Sequence, residues 1–178
     1  MVLNSVEIEG FEKGVEALGK GGTLNIMGNS TITFKGGTGL SVSGEANATM
    51  MGGKIMGDRG GSNSTGVVME STGTLMLTSV DISNVGVGGS ASKGKYGVKM
   101  TGSGTVEMMG VGITVTSGGT GLEVEGEASA TLMGGRIMVT SGAGSYGVKM
   151  GSSKTLEMNM VGISGFEKGV SVEKGKLV

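Results

Sequence analysis

Thr38-Gly39-Leu40-Ser41-Val42 sets a glycine, an apolar residue, an outward residue and a second apolar residue in a row. The pattern returns as Gly14-Val15-Glu16-Ala17, Gly66-Val67-Val68-Met69, Gly97-Val98-Lys99-Met100, Gly121-Leu122-Glu123-Val124, Gly147-Val148-Lys149-Met150 and Gly169-Val170-Ser171-Val172. From Gly14 onward the steps between successive glycines are 25, 27, 31, 24, 26 and 22 residues. A period of that size marks a repeat architecture. Apolar residues alternating with period two make each copy a short half-buried strand. One such strand per turn of the chain, repeated, predicts a solenoid.

Working outward, two further ladders accompany the first. Ile8, Ile32, Ile55, Ile82, Ile113, Ile137 and Ile163 each precede a glycine motif, so seven of the eight isoleucines occupy one position. Apolar pairs open each turn: Met1 and Leu3, Leu24 and Ile26, Ala48 and Met50, Leu75 and Leu77, Val106 and Met108, Ala130 and Leu132, Leu156 and Met158. Leu177 begins an eighth turn. Three short strands per turn cannot bury their inner faces alone, but stacked turns can. Parallel strands ~4.8 Å apart then make a rod ~34 Å long over seven turns, coiled right-handedly as parallel crossovers are.

Glycine supports positive φ and close approach at corners, so the forty glycines read as corners rather than as phosphate loops. The absence of proline fits strands that donate an N–H to a neighbour at nearly every position. A longer period is also present. Residues 23–55 align without gaps on 105–137, and Gly10-Phe11-Glu12-Lys13-Gly14-Val15 matches Gly165-Phe166-Glu167-Lys168-Gly169-Val170.

Composition narrows function by exclusion. A net charge of −1 with both signs scattered gives no basic footprint for nucleic acid. No run of 18 apolar residues exists, so no membrane insertion is expected. With no cysteine and no histidine, thiolate and imidazole metal sites are excluded, and neither a cofactor nor a metal is expected. The fifteen methionines fall mostly at inward positions such as Met50, Met100, Met108, Met150 and Met158, which reads as core filling. Phe11 and Phe166 read as plugs of the coil interior or a corner.

Enzymatic cleavage of a polysaccharide asks for paired carboxylates on one face. The nearest arrangement is Glu123, Glu125 and Glu127, of which the first two project outward from one strand; a solvated outer face is the reading preferred. Lys99, Glu123 and Lys149 share one outward position on consecutive turns, so a plus-minus-plus ladder is expected, with exposed pairs worth ~0–1 kcal/mol each. Insertions extrude at two corners between the isoleucine and glycine strands, 57–64 and 85–95, with 141–145 at the equivalent place. Insertions along one edge mark a binding face. The candidate partner-binding residues are therefore Asp58, Arg59 and Asn63 on the first corner and Lys93 and Lys95 on the second. Tyr96 and Tyr146 join them, since each precedes a ladder glycine and could anchor a partner two turns apart.

The strings Val80-Asp81-Ile82-Ser83 and Val161-Gly162-Ile163-Ser164, the two Phe-Glu-Lys-Gly-Val copies, and Met51-Gly52-Gly53-Lys54-Ile55 beside Met133-Gly134-Gly135-Arg136-Ile137 resemble the passenger domains of Bartonella-type autotransporters. The likeness is one of repeat style across the whole chain. It implies an all-β, right-handed parallel β-helix of the pertactin and pectin-lyase kind, here a single segment over 1–178, secreted or held at the bacterial cell surface. Some members of that group act on endothelial cells through a growth-factor receptor and others are adhesins, so the implied partner is a host cell-surface protein. No terminal cap is visible, which leads us to expect a piece of a longer passenger domain and end-to-end self-association through uncapped turns. A general adhesin, an inert scaffold region and a carbohydrate-active enzyme are the alternatives.

Overall fold

A computed structural model describes residues 1–58, 64–85 and 95–178. Its described residues contain no α-helix, and all their strand pairs are parallel. The fold is a right-handed parallel β-helix, as the spacing predicts. The opening strands stack into a sheet of eight, from Val2–Asn4 and Thr23–Met27 at one end to Thr155–Asn159 and Lys176–Leu177 at the other. The isoleucine and glycine strands form a second sheet of twelve. They belong to one sheet because in the first two turns they run together as Glu7–Ala17 and Thr31–Gly44.

Each ladder stacks in register. Ile8 pairs with Ile32, Ile32 with Ile55, Ile55 with Ile82, Ile82 with Ile113, Ile113 with Ile137 and Ile137 with Ile163. The five inner isoleucines are fully buried, while Ile8 and Ile163 at the ends are partly covered. Val15, Leu40, Val67, Val98, Leu122, Val148 and Val170 make the column inside the glycine strands. Removing one such side chain from water contributes about 1.5–3 kcal/mol, so this column, with the isoleucine column beside it, holds successive turns together. Met50, Met69, Met100, Met108 and Met150 are buried and Met158 partly so, as core filling predicts. Met1, Met51, Met109, Met133 and Met160 are exposed, however, so the methionines as a group are not mostly inward. Met51, Met109 and Met133 close their opening strands on the outward side of the alternation.

The glycines divide into two groups, and here the corner reading needs correction. Ladder glycines lie inside strands at ordinary φ. At Gly14, Gly39, Gly66, Gly97, Gly121 and Gly147, a Cβ would strike Cγ2 of the isoleucine one turn on and the carbonyl oxygen of the next ladder glycine. Space, rather than conformational freedom, excludes every other residue there. True corners do show the expected backbone. The residue following each opening strand is left-handed in all seven turns, at Ser5, Gly28, Gly52, Ser79, Gly110, Gly134 and Met160.

Phenylalanines also depart from expectation. Phe11 is 59% exposed and plugs nothing, because the bulged strand around it turns its ring outward. Phe166 packs partly against the core, and Phe34 is wholly buried. Buried polar corners are satisfied internally. Ser71 donates to the Ala46 carbonyl at 2.7 Å and accepts from Gly73 N–H, and Ser152 repeats the arrangement with Ala128 and Lys154.

Candidate functional site

In a glycine strand the glycine and the residue after it both face the coil interior, so the residues flanking that pair face out together. Register then builds two outer rows. One runs Lys13, Thr38, Thr65, Tyr96, Thr120, Tyr146, Lys168. The other runs Glu16, Ser41, Val68, Lys99, Glu123, Lys149, Ser171. The two tyrosines bracket Thr120, and the two lysines bracket Glu123.

The expected plus-minus-plus ladder is present: Lys99 Nζ lies 3.4 Å from Glu123 Oε2, and Lys149 Nζ donates to Oε1 at 3.2 Å. Its setting differs from the solvated face expected, because Glu123 is only 4% exposed. Long neighbours in the flanking turns, two tyrosines and two lysines, cover a carboxylate that would stand in water on a flat strand. Lys99 also reaches Glu125 at 3.7 Å, and Lys149 reaches Glu173 at 3.8 Å. Lys99 Nζ stands 4.6 Å from the Tyr96 ring centre, while Lys168 and Lys149 stand 5.3 and 5.9 Å from that of Tyr146, within cation–π range.

Burial raises the Tyr96 phenol above its usual range, and the negative charge of Glu123 adds to this. Burial pulls the Lys99 ammonium down, but Tyr96, Glu123 and Glu125 together outweigh it and the net shift is upward. Lys149 is raised chiefly by its hydrogen bond to Glu123. Between the tyrosines lies a pocket of about 250 Å³, lined by Lys95, Thr120, Glu123, Ser145 and Lys149 as well as both rings.

Of the sequence-predicted residues, the structure brings Lys95, Tyr96 and Tyr146 together at this pocket. The tyrosines are half-buried rather than freely projecting, and Lys95 is buried rather than on an open corner, because the flanking turns close over them. Asp58 is exposed and lies apart, after the isoleucine strand Lys54–Gly57. Arg59, Asn63 and Lys93 lie outside the described residues. Sequence reasoning missed Glu123 as the buried centre and Lys168 as a ring partner. The repeated Tyr-Gly-Val-Lys-Met at 96–100 and 146–150, two turns apart with Glu123 between, is the signal that could have found the first. Lys168, which precedes its ladder glycine as Tyr146 does one turn earlier, is the signal for the second.

Two shallower grooves, about 350 and 360 Å³, run along the isoleucine corner and share Asp81, with Lys54 beside one and Arg136 beside the other. They arise where Gly53, Gly110, Gly112 and Gly135 leave no side chains, and they hold no aromatic residue. Among the described residues no group of three acidic, histidine or cysteine side chains is placed to hold a metal, and no helix is long and apolar enough to cross a membrane. Comparison with family models, curated proteins and solved structures finds no match for this chain.

Proposed function

We propose that this chain is a non-enzymatic β-helical binding segment, presented outside the bacterial cell in the manner of an autotransporter passenger, whose exterior recognises a macromolecule on a host cell. The observation that carries the reading is the face built by Tyr96, Lys99, Glu123, Tyr146 and Lys149, where two aromatic rings join charged groups on rows that are small at Thr38, Ser41, Thr65 and Thr120. Tyrosine is enriched in protein interfaces and among the few residues that carry most of their binding energy. The test is capture of surface proteins from endothelial cells by the immobilised chain, compared with Tyr96→Ala, Tyr146→Ala and a version with residues 93–95 replaced. Loss of capture in the tyrosine variants, with circular dichroism unchanged, supports the reading. Equal capture by all versions overturns it.

One observation favours a second reading, a carbohydrate-active enzyme: Glu123 and Glu125 both lie within 4.0 Å of one lysine, Lys99. Incubation with a panel of polysaccharides, followed by assay of new reducing ends, decides between them. Release abolished by Glu123→Gln would favour the enzyme.

A further inference from the structure

Glu123 presents an unusual oxygen to the pocket between the tyrosines. Its Oε1 is hydrogen-bonded to Lys149, while Oε2 is buried and has no hydrogen-bond donor aligned with it, although Lys99 stands 3.4 Å away. A buried polar atom left without a donor is costly, and a bound group that supplies one recovers that cost. Lys99 and the Tyr96 phenol both act on this carboxylate, and an O–H or N–H brought by a ligand would complete the hydrogen bonding of Oε2.

The rest of the lining says which. Two tyrosines on one row, two turns apart, stand ~9.6 Å from each other along the coil, twice the strand spacing. Two van der Waals contacts of ~3.5–4.0 Å take up most of that distance, which leaves room for one ring between the side chains. Lys168 approaches Tyr146 from the turn beyond it, while Lys99 and Lys149, which also stand over these rings, reach toward Glu123, and Lys149 forms part of the pocket wall. Lys95 and Lys149 line the pocket with Glu123, and Glu125 and Glu173 pair with the same lysine cluster, so charges of both signs meet any ligand: an anion faces the Glu123 carboxylate and a cation faces the ammonium groups. A hydroxyl both donates and accepts, and so suits Glu123 and the lysines at once. About 250 Å³ is below the size of drug-binding cavities and suits one or two small rings.

We propose that this pocket binds an uncharged saccharide unit, its ring held between Tyr96 and Tyr146 and a hydroxyl donating to Glu123 Oε2. The inference rests on the binding reading above and names the part of the host macromolecule that is recognised: a neutral sugar of its glycan.

The chain carries its own reporter, since Tyr96 and Tyr146 are its two tyrosines and it has no tryptophan. Tyrosine fluorescence of the full chain is titrated with lactose, cellobiose, maltose and N-acetyllactosamine, and in parallel with sialyllactose and spermidine. A saturable change with at least one neutral disaccharide is expected, abolished in the emission of Tyr96 by Tyr146→Ala. Glu123→Gln should weaken binding roughly tenfold, the loss expected when a charged acceptor becomes neutral. Because Glu123→Gln could disturb the lysines, Tyr146→Phe serves as the conservative control and should retain binding. If only spermidine or only sialyllactose binds, or if no sugar binds while the chain still captures cell-surface proteins, the saccharide inference fails and the broader reading stands. If neither sugars nor cell-surface proteins bind, both fail. Binding followed by release of monosaccharide would uphold the saccharide site and overturn the non-enzymatic reading.

Discussion

Replacing Gly39 by alanine puts a methyl group where the structure has no room for one. The added Cβ would meet Cγ2 of Ile55 in the next turn, the Gly66 carbonyl oxygen at 2.7 Å and the Phe34 ring at 3.0 Å. The carbonyl belongs to a paired strand and cannot swing away without breaking register, so the cost falls at the upper end for overpacking, ~3 kcal/mol. For a chain of this length that corresponds to a fall in thermal midpoint of roughly 6–12 °C. Gly169 is the matched control: it holds the same ladder position, yet nothing lies within 4 Å of the place its Cβ would take. Gly169→Ala should leave stability within ~1 kcal/mol of the parent, with a small gain from a less flexible unfolded chain. A double variant sharpens the test. Leucine has no Cγ2 branch, so Ile55→Leu should return at least ~0.5 kcal/mol of the Gly39→Ala loss, while the clash with the Gly66 carbonyl persists. Urea unfolding followed by far-ultraviolet circular dichroism reads all four proteins. Gly39→Ala unfolding at the parent's midpoint, or Gly169→Ala losing as much as Gly39→Ala, would refute the interlock of glycine and isoleucine.

Two further outcomes follow from the corner column and the tyrosine face. Met160 sits at a left-handed φ of 54° and is 82% exposed, so Met160→Gly relieves backbone strain without loss of packing. Strain of ~1–2 kcal/mol, less the entropy that glycine adds to the unfolded chain, gives a net gain of about 0.5 kcal/mol, seen as a higher urea midpoint; a lower midpoint would contradict it. Tyr96, Lys99 and Lys149 all hold their protons more tightly folded than unfolded. Their contribution is therefore complete below the unfolded tyrosine value of 10.0 and is lost as pH rises through the raised values. In a Tyr146→Phe background, absorbance titration should place the Tyr96 phenol higher in the folded chain than in denaturant, and Glu123→Gln should bring it down. Equal folded and denatured midpoints would count against the burial and charge assigned to it.

The coil was legible because its signals are local and repeated. Seven isoleucines at steps of 23 to 31 residues, with an apolar-x-apolar strand after each, left a single way to stack them, and the register runs through all seven. What remained hidden depends on neighbours in three dimensions. Spacing gives no hint that Ile55 Cγ2 fills the place of a Cβ at Gly39, so those glycines read as corners. Nor could outward alternation distinguish an exposed carboxylate from Glu123, which is buried because Tyr96, Lys99, Tyr146 and Lys149 arrive from the turns on either side. Phe11 was misread for the opposite reason, since a bulge reverses its side of the strand.

The same geometry explains how a binding face can arise on so regular a body. Because the glycine and isoleucine columns fix the spacing of turns, a residue on an outer row can change without altering the stack. Thr38, Thr65 and Thr120 keep the row small, whereas Tyr96 and Tyr146 enlarge it at alternate turns. Alternation matters: tyrosine at position 120 as well would set three rings at single strand spacing, ~4.8 Å apart, and close the pocket by stacking them together. Thr120→Tyr should therefore preserve the fold and abolish ligand binding. Retained binding in that variant would mean that the gap between the two rings is not what the ligand occupies.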